Sequence, residues 1–253
     1  MRIKNNQKGF TLVELSIVLV IIGLIVSSVL VGADLVRGAE LRSTVTQYEG
    51  YNSAIATFRG KYGGIPGDVR GATDFGFVGD GNKDGVLAAT GTTGNAAGEN
   101  VYFWNHLGST SAGLISGSYD GTQVTASAAD AALALPASKV GERWGVFGVS
   151  AENLNYFILG ATTPGTASYQ TTAALLNSLD ARNIDEKVDD AMPYRGIVQA
   201  RGAHASDADQ APTFDDGSNA AACTGGTTAL SVTSTYNTAY TEVDCTLRFR
   251  FQL

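Results

Sequence analysis

Residues Phe10 to Ala33 read FTLVELSIVLVIIGLIVSSVLVGA, an apolar run of 24 residues that holds one ionisable group, Glu14. A helix of that length crosses a hydrocarbon layer of about 30 Å, so the run predicts a membrane-spanning segment. The nine residues before it carry Arg2, Lys4 and Lys8 and no acid. Positive flanks stay on the cytoplasmic side, so the chain that follows is expected to be exported. Two simpler readings compete. A secretory signal peptide needs a short apolar run ending at a small-residue cleavage site; this run is longer and flows into a second helical pattern without a turn. A plain signal-anchor fits the length but leaves Glu14 unexplained.

A carboxylate four residues into an apolar run costs about 2.5–3.5 kcal/mol at mid-membrane on insertion-type scales, and less near the interface. Such a group needs a partner. A cut after Gly9 would create one, the new α-amine of Phe10. Glu14 would meet that amine within one helix at i, i+4, or on a neighbouring subunit.

At these residues the sequence resembles a known family. Lys8-Gly9-Phe10-Thr11-Leu12-Val13-Glu14-Leu15 is similar to the prepilin cleavage and methylation motif of type IV pilins and type II secretion pseudopilins. The resemblance covers about 25 residues. It implies cutting between Gly9 and Phe10 by prepilin peptidase, N-methylation of Phe10, and a role for Glu14 in subunit registration. The implied partners are other pilin or pseudopilin subunits and an inner-membrane assembly platform. The implied location is the bacterial inner membrane, N-terminus cytoplasmic, and afterwards a periplasmic or cell-surface filament. One departure stands out: many family members carry a proline in this apolar helix, and here only Gly23 and Gly32 interrupt it.

Beyond the membrane segment, Leu41, Val45, Tyr48, Tyr51, Ile55, Phe58 and Tyr62 recur at steps of three or four, one apolar stripe on a helix. Gly63-Gly64-Ile65-Pro66-Gly67 ends it. The expected fold class is therefore α+β and pilin-like: a long N-terminal helical spine packed on a C-terminal antiparallel sheet. The expected division is a cleaved leader over 1–9, a membrane or filament-core helix over 10–33 and an amphipathic helix over 34–62. A globular domain follows over 63–253, with a long Gly-rich connection at 63–138 and a β-rich part at 139–253.

Inside the connection, Asp80-Gly81-Asn82-Lys83-Asp84-Gly85 matches the opening of an EF-hand-type loop, with Asp80, Asn82, Asp84 and the Val86 carbonyl as calcium ligands. The twelfth position is Gly91 rather than a bidentate Glu, so Glu99, Asp74 or Asp68 would have to close the site. An ordinary polar turn built on Asp, Asn and Gly is the competing reading. The aromatic segment Val101 to Leu107 is expected to pack on the apolar stripe, with His106 a hydrogen-bonded structural residue. Short strands are expected at Trp144–Val149, Tyr156–Leu159, Gly196–Ala200, Tyr240–Val243 and Thr246–Phe251, and a helical stretch around Thr172–Ala181. Asp185 and Asp189 would share a helix face, either as a cation site or, as the preferred reading, as an exposed acidic turn. Cys223 and Cys245 are expected to form a disulfide in an exported chain, two free thiols being the alternative.

Charge and motif content bound the function. The chain carries −7; after the basic leader, 14 basic residues face 24 acidic ones. An acidic body binds phosphates poorly, so no nucleic-acid partner is expected. The histidines are His106 and His204 alone, and there is no G-x-S-x-G elbow, G-K-[ST] phosphate loop or zinc spacing; an enzyme is not expected. The expected function is a minor pilin or pseudopilin of a type IV pilus or type II secretion filament. The alternatives are an adhesin with calcium-dependent ligand binding and a membrane-anchored binding protein that does not polymerise.

Overall fold

The computed structural model describes residues 11–87, 98–122, 128–150, 152–162, 172–173, 175–202, 223–224, 234–243 and 245–252. Helix α1 runs over Leu12–Tyr62. The chain divides into two units, Met1–Glu40 and Leu41–Leu253. In the first, the described large apolar side chains from Leu12 to Val36 are exposed. This stretch makes α1 long and apolar enough to cross a membrane.

The second unit is built on the apolar stripe of α1. Leu41, Val45, Tyr48, Tyr51, Ile55 and Phe58 are buried, as their spacing predicts. After a 3-10 turn at Ala72–Phe75 come α2 (Glu99–Leu107) and α3 (Ala128–Ala134). The sheet comprises β1 (Arg143–Val149), β2 (Leu154–Thr162), the two-residue β3 (Thr172–Ala173), β4 (Val198–Gly202) and β5 (Cys245–Arg250). Its order is β1-β2-β5-β4, all antiparallel, with β3 paired to the end of β2. The fold is thus α+β with the expected pilin-like arrangement of long helix and antiparallel sheet.

Register places one apolar row on the helix-facing side. Trp144 pairs with Leu159, Val146 with Phe157, Phe157 with Phe249, Leu159 with Leu247, Val198 with Phe249 and Ala200 with Leu247; all are buried. Tyr48 lies with its ring centroid 5.0 Å from Phe249, and Tyr51 lies 5.0 Å from Trp104 and 5.8 Å from Trp144. Aromatic pairs at such separations add to area burial. The aromatic segment of α2 is core, as expected: Val101, Phe103, Trp104 and Leu107 are fully buried.

Three local expectations are corrected. The stretch 172–181 is not one helix: Thr172 and Ala173 pair with β2, and helix α4 (Ser178–Val188) starts only where the Asn177 side chain accepts the Asp180 N–H at 2.8 Å. Residues Tyr240–Val243 are not a strand: Tyr240 closes the turn before them by donating its N–H to the Asn237 carbonyl, and Val243 is exposed. The strand expected from Gly196 starts at Val198, because Gly196 sits at φ 83° in the preceding turn.

Candidate functional site

The first turn of α1 is a capping box. Thr11 donates its N–H and its hydroxyl to Glu14 Oε2, both at 2.8 Å, and the Glu14 N–H returns to Thr11 Oγ1 at 3.3 Å. Glu14 thus satisfies helix-end donors that would otherwise be bare in an apolar medium. Farther along, Ser16 and Ser28 turn their hydroxyls back to the Val13 and Leu24 carbonyls, so these two polar side chains are used locally. The apolar surface closes at Arg37 and Glu40, ion-paired at 3.1 Å. Gly9 and Phe10, the expected cleavage pair, lie outside the described residues.

The Asp80–Gly85 loop is cross-braced. Asp80 turns to Thr73, accepting its N–H at 2.9 Å and its hydroxyl at 3.0 Å. Asn82 donates its side-chain amide to Asp84 Oδ2 at 2.8 Å, and Asp84 Oδ1 accepts the Val86 N–H at 2.8 Å. The carboxylates brought together are those of Asp84, Asp68 and Glu99, with one oxygen of each within 4.8 Å of the others. Of the three residues considered as closing groups, Asp68 and Glu99 therefore approach, whereas Asp74 sits exposed on the 3-10 turn. Asp68 accepts the N–H groups of Asp84 and Gly85, and Glu99 that of Asn82. Burial pushes the Asp68 carboxyl up, opposed by the N–H groups of Gly85 and Lys83. Gly81 permits the packing, since a Cβ there would lie 2.3 Å from the Asp68 backbone.

The second acidic run differs from its preferred reading as an exposed turn. Asp185 is wholly buried, and the Tyr236 hydroxyl donates to its Oδ2 at 2.8 Å. Asp189 and Asp190 stand beside it at the end of α4. Helical spacing places Asp185 and Asp189 on one face; nothing local signals the tyrosine that closes over them from far along the chain. Tyr236 lies between Cys223 and Cys245, which form a disulfide. Cys245 opens β5, and its backbone pairs with Leu176.

In comparison with known proteins, residues 4–30 match the prokaryotic N-terminal methylation motif. No curated protein and no solved structure matches the chain. The motif points to a structural protein rather than an enzyme family, and it implies processing by prepilin peptidase and pilin-type assembly. The apolar helix fits membrane anchoring. The protein therefore carries, at residues 4–30, the N-terminal methylation signature of the type IV pilins and pseudopilins.

Proposed function

We propose that the chain is a minor pilin or pseudopilin, held in the inner membrane as a precursor and built into a type IV pilus or type II secretion filament after loss of residues 1–9. The observation that carries this reading is the coincidence of the methylation motif with a helix whose apolar surface from Leu12 to Val36 is exposed and whose first turn holds one carboxylate, Glu14. An exposed apolar stripe of this length needs lipid or other helices around it. Cleavage after Gly9 leaves an α-amine one residue from Thr11, where it competes for the Glu14 carboxylate and makes the end of the helix neutral enough to leave the lipid. The 244 residues after Gly9 make a large body for a repeating subunit, which favours a minor component.

Two measurements test it. Intact-mass analysis of membrane-extracted protein should show a chain that starts at methylated Phe10; retention of Met1 through Gly9 would overturn the processing. Glu14→Leu should insert into the membrane but be missing from sheared filaments, and normal incorporation would refute the pairing. Proteomics of the culture supernatant and sheared filaments of a deletion strain separates the two machines. Loss of exoproteins with pili intact marks a pseudopilin; the protein itself in pili with secretion intact marks a pilin.

A further inference from the structure

The carboxylates of Asp185, Asp189 and Asp190 gather at the C-terminal end of α4, an oxygen of each within 4.8 Å of the others. This is a poor place for three acids. The end of a helix carries partial negative charge, and carboxylates that share a site repel one another. The following loop answers part of the charge. Arg195 Nε lies 2.6 Å from Asp190 Oδ2, the Met192 N–H donates to Asp190 Oδ1 at 2.9 Å, and the Ile197 N–H donates to Asp189 Oδ2. Lys187, in the last turn of α4, directs Nζ to the Asn183 carbonyl at 3.1 Å instead.

Asp185 is answered on one oxygen only. It is 0% exposed; Oδ2 takes the Tyr236 hydroxyl, and Oδ1 is sealed from solvent with no hydrogen-bond partner among the described residues. A carboxylate oxygen shut away from water keeps its full desolvation penalty unless something charged or protic meets it. The Asp68, Asp84 and Glu99 group has no such orphan: its carboxylates cap the N–H groups of Asp84, Gly85 and Asn82.

We propose that Asp185, Asp189 and Asp190 bind a calcium ion, which ties the end of α4 to the loop before β4 and, through Tyr236, to the disulfide-bounded segment. The donor set is oxygen only, as hard cations require. Calcium, which completes six to eight ligands with water in a flexible geometry, suits three carboxylates on a helix end and its loop better than magnesium, which demands an octahedron. The ion gives Asp185, which has one oxygen without a donor, a charged partner and offsets the two negative charges that Arg195 leaves. A proton is the rival occupant. Burial first, then Asp190 and Asp189, push the Asp185 carboxyl up to about 7, against the Tyr236 hydroxyl and the Ala191 N–H.

The test uses the full chain in detergent, stripped with EDTA at pH 7.5. Unfolding is followed by tryptophan fluorescence during a calcium titration, with binding measured by calorimetry. At a hundredfold excess over Kd, calcium should raise Tm by about 5–10 °C for a domain of this size. Asp185→Asn should weaken calcium binding by roughly tenfold or more and remove the shift, whereas Asp84→Asn in the other acidic group should keep it. Magnesium should give a smaller shift. If Asp185→Asn does not fold, Asp189→Asn is the substitute, and the same loss is expected. Three results would overturn the proposal: no calcium effect on the wild type; a shift abolished by Asp84→Asn but retained by the Asp185 or Asp189 variant; or an Asp185→Asn protein more stable than calcium-treated wild type, which would assign the orphan oxygen to a proton.

Discussion

His106 shows how one residue can fix several segments. The Gly67 N–H donates to Nδ1 at 2.9 Å, so Nε2 carries the proton and donates to the Val78 carbonyl at 3.1 Å. The ring stacks on Phe77 at 5.0 Å, and burial pushes its pKa down to about 4 from 6.5. Between those values the unfolded chain binds a proton that the folded chain refuses. The stability supplied by neutral His106 is complete above pH 6.5 and is lost as pH falls toward 4. Asp185, facing Asp189, Asp190, Tyr236 and Ala191, runs the other way. Its folded value of about 7 exceeds the ordinary 3.8, so in EDTA its contribution is complete below about pH 4 and is lost as pH rises through 7. Thermal unfolding between pH 4 and 8 in EDTA should therefore separate the two. His106→Gln should flatten the acid-side fall, and Asp185→Asn should remove the decline toward neutrality. An unchanged slope in the Asp185 variant would mean that Asp185 is already ionised in the folded chain. The structural, hydrogen-bonded role of His106 was legible in the sequence; the burial of Asp185 was not, because it depends on a partner as far off as Tyr236.

Among the elements, those with strong periodicity were legible, and those set by a cap or by a distant pairing were not. The stripe from Leu41 to Phe58 announces a helix because it buries one face; the alternation of Leu247 and Phe249 announces a strand, although Thr246 and Arg248 on its other face are buried too. The start of α4 depends on the Asn177 cap, and β3 exists only because β2 passes beside it. In the Asp80 loop the alternating oxygen residues were visible, but the turn of Asp80 toward Thr73 was not. Two substitutions probe these joints. Cys245→Ser removes the tie between β5 and the segment that carries Tyr236, and should lower stability by roughly 2–4 kcal/mol in urea unfolding; reductant should do the same to the wild type and nothing further to the variant. Gly67→Ala should cost more than an ordinary surface change. Gly67 has φ 86°, and a Cβ there would lie 2.4 Å from the Glu99 carbonyl oxygen, so its Tm should fall by several degrees while that of Gly63→Ala, at φ 73° in open space, falls less.

For the whole molecule, the division at Glu40/Leu41 separates an exposed apolar segment from a unit with its own aromatic core. A chain starting at Leu41 should fold as a soluble monomer, with near-ultraviolet circular dichroism matching the full-length protein and a single species in sedimentation. Aggregation would mean that residues before Leu41 are needed to cover the core. The sheet adds a constraint of its own. β5 is the last strand in the sequence yet lies between β2 and β4, and the residues at its end clasp α1: Tyr48 donates its hydroxyl to the Arg250 carbonyl at 2.8 Å, and the Gln252 N–H donates to Asn52 at 3.0 Å. Until residues 245–252 arrive, β1 and β2 stay paired with one edge of β2 open, and β4 has no strand beside it among the described residues. A translation product stopped short of them leaves β4 unpaired and the edge of β2 bare, and should be cut by proteases faster than a chain that includes β5.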